Sequence, residues 1–131
     1  EAMPGLKKLL HELKKAGIVR AVASGSGRWD IDMILKGLGI SSEFDVISSG
    51  DEVHHGKPHP EIYLLTAERL HVSPEDCIAF EDTMYGVQSA KAAGMKCIAV
   101  PHKYTSSHDF QEADKVVLSL EEITLPFLQN L

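Results

Sequence analysis

Three stretches of this 131-residue chain hold side chains that could do chemistry on an anion. Ser24-Gly25-Ser26-Gly27 follows an apolar run and precedes a helical pattern opened by Arg28 to Asp32. Hydroxyls and free backbone N–H groups at such a junction suit an oxyanion or phosphate, and a plain helix-capping turn has the same composition. Lys57 is fixed between Gly56 and Pro58, just ahead of another helical pattern. A cation is unfavourable at the positive end of a helix dipole unless an anion sits there too; an ordinary solvated lysine is the alternative. Glu81 and Asp82 close a third apolar run. Adjacent carboxylates repel each other and need a cation or well-placed donors. Hard oxygen ligands suit Mg²⁺, which takes one or two carboxylates and leaves its other positions to water and phosphate. The competing reading of Asp82 is a cap for the next helix.

Two familiar phosphate motifs are excluded by spacing. Asp30 stands where a dinucleotide fingerprint needs its third glycine, and Gly56-Lys57 is followed by Pro58 rather than Ser or Thr. His54, His55 and His59 share one loop, without helical H-x-x-x-H placement or a cysteine partner, and are assigned to the surface rather than to zinc.

The elements that must position these groups alternate. Leu6, Leu9, Leu10, Leu13 and Ala16 recur at spacings of three and four, which predicts an amphipathic helix with Pro4 in its first turn. Lys14-x-x-Gly17, Lys36-x-x-Gly39 and Lys91-x-x-Gly94 each end a helical pattern with a cation and a glycine. A fourth pattern, 61–70, ends at His71, a residue that tolerates positive φ. Strand-like runs lie at 18–23, 45–48, 77–80, 97–100 and 115–118. Alternation of this kind predicts a mainly parallel sheet with helices on both faces and ligands at the carboxyl ends of its strands.

Composition removes other classes. With 13 Lys and Arg against 19 Asp and Glu, the formal charge is −6, and no basic block offers a footprint for nucleic acid. No apolar stretch approaches the ~18 residues of a membrane span. Cys77 and Cys97 are read as reduced core thiols, and with no targeting pattern the expected location is cytoplasmic.

Taken in order, Val22-Ala23-Ser24-Gly25-Ser26, Gly56-Lys57-Pro58-x-Pro60-x-Ile62-Tyr63 and Phe80-Glu81-Asp82-Thr83-x-x-Gly86-Val87-x-x-Ala90 resemble motifs two, three and four of haloacid-dehalogenase-like hydrolases. The subgroup resembled is that of β-phosphoglucomutase and phosphoglycolate phosphatase, over about residues 4 to 100. The resemblance implies a Rossmann-like α/β core whose central strand ends in an aspartate nucleophile, with a second aspartate two residues on as general acid and base. No D-x-D followed by glycine occurs here, and Asp30-Ile31-Asp32 falls in a helical pattern, so neither role is assigned to it. A helical cap between that strand and the Pro4-Gly5 helix is also implied. Residues 1–131 are therefore expected to be the C-terminal portion of the core domain of a longer protein, partnered by its own upstream strand and cap. The strands ending at Ser24 and Asp82 should then flank a slot about two strand spacings, roughly 10 Å, wide.

Carried over by residue, the resemblance implies that the Ser24 hydroxyl and the Gly25 N–H bind the phosphoryl group. Lys57, aimed by a cis bond to Pro58, would bridge the phosphoryl oxygens and the nucleophile. Asp82 would hold Mg²⁺ with Glu81 beside it. Ser26 and Arg28 are candidates for contact with a substrate carboxylate or phosphate, and Trp29 is assigned to packing. The function implied is a Mg²⁺-dependent phosphatase working through an aspartyl-phosphate on a small phosphorylated metabolite, such as a sugar phosphate or a phosphoglycolate-like molecule; the 131 residues alone should be inactive. A sugar-phosphate mutase is the alternative, although β-phosphoglucomutases commonly follow Ser-x-Ser with Lys-Asn and Gly27-Arg28 stands here. An inactive phosphate-binding scaffold is a third reading. A phosphoacceptor receiver domain is disfavoured, because it places acids first and lysine last.

Overall fold

The computed structural model describes residues 3–131. Helix α1 (Leu6–Lys15) leads to strand β1 (Ala21–Ala23), α2 (Arg28–Leu38), β2 (Val46–Ser48) and α3 (Glu61–Leu70). Then come β3 (Ile78–Glu81), α4 (Met84–Ala92), β4 (Lys96–Ala99), β5 (Lys115–Val116) and α5 (Leu125–Gln129). The expected alternation is present, and every strand pair is parallel. Gly17, Gly39 and Gly94 all take positive φ just past α1, α2 and α4, and His71 does the same after α3 with φ 57° and ψ 40°. Pro4 lies before the Gly5 cap rather than inside the first turn of α1. Both cysteines are free thiols. No helix among the described residues is long and apolar enough to cross a membrane.

The strands form two sheets, β1-β2 and β3-β4-β5. Register pairs Val22 with Ile47 in the first, and Phe80 with Ile98 in the second. Alternation along β4 sends Cys97 and Ala99 toward Tyr63, Val87 and Ala90 of α3 and α4, while Ile98 and Val100 meet Leu9 and Leu13 of α1 on the opposite face. On its adjacent side, α1 packs Leu10 against Ile31 and Leu35 of α2. Helix α3 touches β1 and β2 and shares its apolar cluster with β3 and β4. Helices α1 and α3 thus cover the gap between the sheets from opposite faces.

Between β1 and β3 runs an apolar cleft of about 770 Å³, lined by Val22 and Ala23 on one side and Ile78, Ala79 and Phe80 on the other. This is where the sequence placed a slot. It also explains why β1 is shorter than the 18–23 run: Ile18 and Val19 line the cleft and are 44% and 49% exposed, with no neighbouring strand on that edge among the described residues.

Two loops at the carboxyl ends of β1 and β2 are interlocked. The Gly50 N–H donates to the Ser26 carbonyl at 2.8 Å, and a Cβ on Gly50 would sit 2.1 Å from the Gly25 carbonyl oxygen. Only glycine fits that approach. Gly50→Ala is expected to cost about 1–3 kcal/mol through forced backbone displacement. Gly37→Ala, exposed in the last turn of α2 with no atom within 4 Å of its added Cβ, should instead stabilise by up to about 0.5–1 kcal/mol. Denaturant midpoints of the two variants moving the same way would contradict this packing.

Candidate active site

The carboxyl ends of β1 and β3 meet at one lysine, carried on the loop between β2 and α3. The Lys57–Pro58 bond is cis, as the resemblance implied. The Lys57 Nζ donates to the Ala23 carbonyl at 3.1 Å and to Glu81 Oε2 at 2.5 Å, and lies 5.1 Å from the centre of the Tyr63 ring. It therefore joins the last residue of β1 to the last residue of β3 across the mouth of the cleft. The side chains of Lys57 and Glu81 are only 19% and 7% exposed, so each charge depends on the other for compensation.

Glu81 and Asp82 do not act as a pair. Glu81, two residues after Ala79, points to the same face of the sheet, toward α3 and α4. It accepts from the Tyr63 hydroxyl as well as from Lys57. Its other oxygen rests against the first turn of α4: a Cβ on Gly86 would be 1.8 Å from Glu81 Oε1, so only glycine leaves room for the carboxylate. The positive end of the α4 dipole favours negative charge there. Burial and the Glu81 charge hold the Tyr63 hydroxyl well above its ordinary pKa, which keeps it a donor.

Asp82 turns outward and is half exposed. It does not cap α4; Thr83 does, its Oγ1 accepting the Gly86 N–H at 3.0 Å. Asp82 Oδ2 instead lies 3.2 Å from His102 Nε2 on the segment after β4. The His102 Nδ1 accepts the Tyr104 N–H at 3.1 Å, so in the neutral ring the proton belongs on Nε2, facing Asp82. That leaves a hard carboxylate oxygen at a solvent-facing strand end, where water can complete a shell. The donor set fits Mg²⁺ with Asp82 as the protein ligand, while Glu81 Oε2 is committed to Lys57 and Tyr63.

The hydroxyl loop is held open at its tip. Ser24 continues the β1-β2 ladder through its N–H to the Ser48 carbonyl at 3.1 Å, and its Oγ accepts the Ser26 N–H at 3.2 Å. Gly25 and Ser26 are exposed. Helix α2 receives its cap from the neighbouring loop, where Asp51 Oδ2 accepts the Arg28 N–H at 2.8 Å. The Arg28 side chain pairs with Asp32 at 3.0 Å along its own helix. Trp29, expected to pack, is 72% exposed, because α2 buries the Ile31 and Leu35 stripe and Trp29 lies off it.

Sequence reasoning gave no role to Tyr63, Asp51 or His102. Tyr63 had a readable signal: a tyrosine on the buried stripe of α3, beside Ile62 and Ala67, needs a partner for its hydroxyl. For Asp51 and His102 no spacing foretold the contact, since both reach groups more than twenty residues or a whole strand–helix–strand unit away.

A parallel α/β core with hydroxyl, lysine and acids at successive strand ends defines the class of fold as Rossmann-like α/β, with its candidate site at the carboxyl ends of the strands. A family model described as haloacid dehalogenase-like hydrolase matches residues 1–100, and the chain belongs to that family. YhcW of Bacillus subtilis is 41% identical over 128 residues, 98% of this chain and 58% of that protein. A phosphorylated carbohydrates phosphatase of Thermotoga maritima is 38% identical over 128 residues, 97% of this chain and 59% of its own. The crystal structure of CbbY from Rhodobacter sphaeroides in complex with phosphate superposes with a TM-score of 0.93 at 37% identity, covering 97% of this chain and 58% of CbbY. The chain thus spans somewhat more than half the length of these relatives.

Support for the hydroxyl loop comes from a second ion pair. Glu52 accepts from Arg69 and from the Ser49 N–H, and these bonds lower its pKa from 4.5 to about 2. A depressed carboxyl contributes stability that is complete above the unfolded value of 4.5 and is lost as pH falls through about 2. Glu52→Gln should therefore flatten the pH dependence of stability between those limits while leaving its shape above pH 6 intact. Chemical denaturation at stepped pH measures this, and an unchanged acid slope would count against the pair.

Proposed function

We propose that this chain forms part of a Mg²⁺-dependent phosphatase that hydrolyses a small phosphorylated metabolite, with a sugar phosphate as the preferred class. The observation that carries the reading is Lys57, whose ammonium is held between the Ala23 carbonyl at the end of β1 and Glu81 at the end of β3. The apolar cleft supports a further step. A strand from upstream in the same protein would fill it, pair with the edges of β1 and β3, and end beside Lys57 with the aspartate nucleophile. A cap from the same upstream part would select the substrate.

In this reading the Ser24 hydroxyl and the Gly25 N–H bind the phosphoryl oxygens, and Lys57 offsets charge as the phosphoryl group passes to the aspartate and then to water. Asp82 would hold the Mg²⁺, oriented by His102, and the ion supplies charge neutralisation when bound. Glu81 and Tyr63 fix the lysine rather than touch substrate. Ser26, exposed at the loop tip, is the substrate contact that geometry favours over Arg28, whose guanidinium is paired with Asp32. Hydrolysis is favoured over mutase chemistry by Gly27-Arg28 after the serine loop and by the phosphatase name of the Thermotoga maritima relative.

Phosphoryl transfer rests mainly on positioning and charge neutralisation, so removing one such group costs on the order of a hundredfold. In the full-length protein, Lys57→Ala should lower kcat for p-nitrophenyl phosphate by at least about that factor, and Asp82→Asn should raise the Mg²⁺ concentration needed for half-activation. A folded Lys57→Ala protein with normal turnover would refute the assignment.

A further inference from the structure

The loop that presents Lys57 carries a second cluster, separate from the carboxylates at the end of β3. His55 and His59 flank Lys57 in sequence, and Glu61 opens α3. One ligand atom from each of the three lies within 4.8 Å of the others. His55 Nδ1 is 3.2 Å from Glu61 Oε1, and the two imidazoles stack with ring centres 4.7 Å apart. Neighbouring ligand atoms around a tetrahedral ion with bonds of about 2.0–2.1 Å are separated by about 3.4 Å, so the His55–Glu61 pair already has that spacing.

The carboxylate is also held from behind. The backbone N–H groups of His54 and His55 donate to Glu61 Oε2 and Oε1 at 3.0 and 2.9 Å, the kind of support that orients a metal-binding carboxylate. His59 Nδ1 accepts the Glu61 N–H at 3.1 Å, which assigns the proton of the neutral ring to Nε2 and turns the Nδ1 lone pair toward the start of α3. We propose that His55, His59 and Glu61 form a binding site for a divalent transition metal, with Zn²⁺ the best match to two imidazoles and one carboxylate.

The protons balance without an external base. Neutral His55 moves its ring proton from Nδ1 to Nε2 as Nδ1 takes the metal. His59 keeps its proton on Nε2 and gives up the Glu61 N–H, an exposed donor at a helix start that water can satisfy. Nitrogen ligands select against Mg²⁺ and Ca²⁺, so this site does not compete for the ion assigned to Asp82. Both imidazoles are exposed, which leaves an entry path and open coordination positions for water. A bound ion would tie residues 55–61 into a closed ring around Lys57 and restrict the loop that aims the ammonium. Neither the ligands nor the test depend on the phosphatase reading.

The test is calorimetric titration of Zn²⁺ into the full-length protein in saturating Mg²⁺, with His54→Ala, His55→Ala, His59→Ala and His59→Gln variants alongside. His59→Gln preserves an acceptor for the Glu61 N–H, which separates loss of a ligand from loss of the turn. The expected result is a saturable Zn²⁺ site whose affinity falls by more than about tenfold in each of the His55 and His59 variants and is unchanged in His54→Ala. X-ray absorption at the zinc edge should show two imidazole ligands. Absence of saturable uptake, equal weakening by His54→Ala, or wild-type affinity in the His55→Ala/His59→Ala double variant would each overturn the proposal.

Discussion

A buried charge needs a partner, and most of the site follows from how Lys57 and Glu81 satisfy each other. The ammonium has one neutral acceptor, the Ala23 carbonyl, and one charged acceptor, Glu81. The carboxylate in turn takes Lys57, the Tyr63 hydroxyl and the space left by Gly86. Each contact belongs to a different element: the end of β1, the loop before α3, the first half of α3, the end of β3 and the first turn of α4. None of these elements can shift without leaving a charge or a phenol hydroxyl unpaired in a low-dielectric setting. The pair therefore registers the two sheets against each other at the end where chemistry would occur.

At the opposite end of that registration lies the cleft. Unpaired strand edges are a liability that folded proteins usually cover or close. Here the edges of β1 and β3 face each other across apolar walls, with α1 and α3 roofing the gap on its two faces. Lys57 bridges the carboxyl ends of the two strands that wall this mainly apolar cleft. A strand added there would satisfy both edges and bring its last residue to the ammonium. This is why the proposed nucleophile is assigned to that position rather than to Asp30 or Asp32, which stand on α2 away from the cleft lining.

Periodicity was enough to read the elements. The Leu9, Leu10 and Leu13 stripe, the cation–glycine stops and His71 as a left-handed cap are local signals, set by residues within a turn of one another. Strand limits moved by one to three residues because pairing, not hydrophobicity, decides where a ladder stops. What could not be read was side-chain direction at the strand ends. Glu81-Asp82 looked like one metal site, yet strand alternation sends the first inward to a lysine twenty-four residues away and leaves the second outside. Thr83 took the capping role offered to Asp82, and Trp29 turned to solvent because the α2 stripe passes through Ile31 and Leu35. His55 and His59 lie at the surface as read, and the added feature is Glu61 beside them.

The division between the two carboxylates has an electrostatic consequence for the proposed chemistry. Lys57 contributes one positive charge, which Glu81 cancels at 2.5 Å, leaving Asp82 as one net negative charge at the strand end. An incoming phosphate dianion would raise that to three, and an aspartate nucleophile to four, around the same strand ends. At an effective dielectric of 20, two unit charges 4 Å apart repel by about 4 kcal/mol, so such a cluster would expel its own substrate. The N–H groups of the Ser24 loop offset only part of this. A divalent cation on Asp82 removes two charges at the point of greatest density. In the proposed chemistry the inward turn of Glu81 thus does more than fix the lysine: it balances most of the Lys57 charge in the resting site, so that a dianion would be held best with a divalent cation on Asp82.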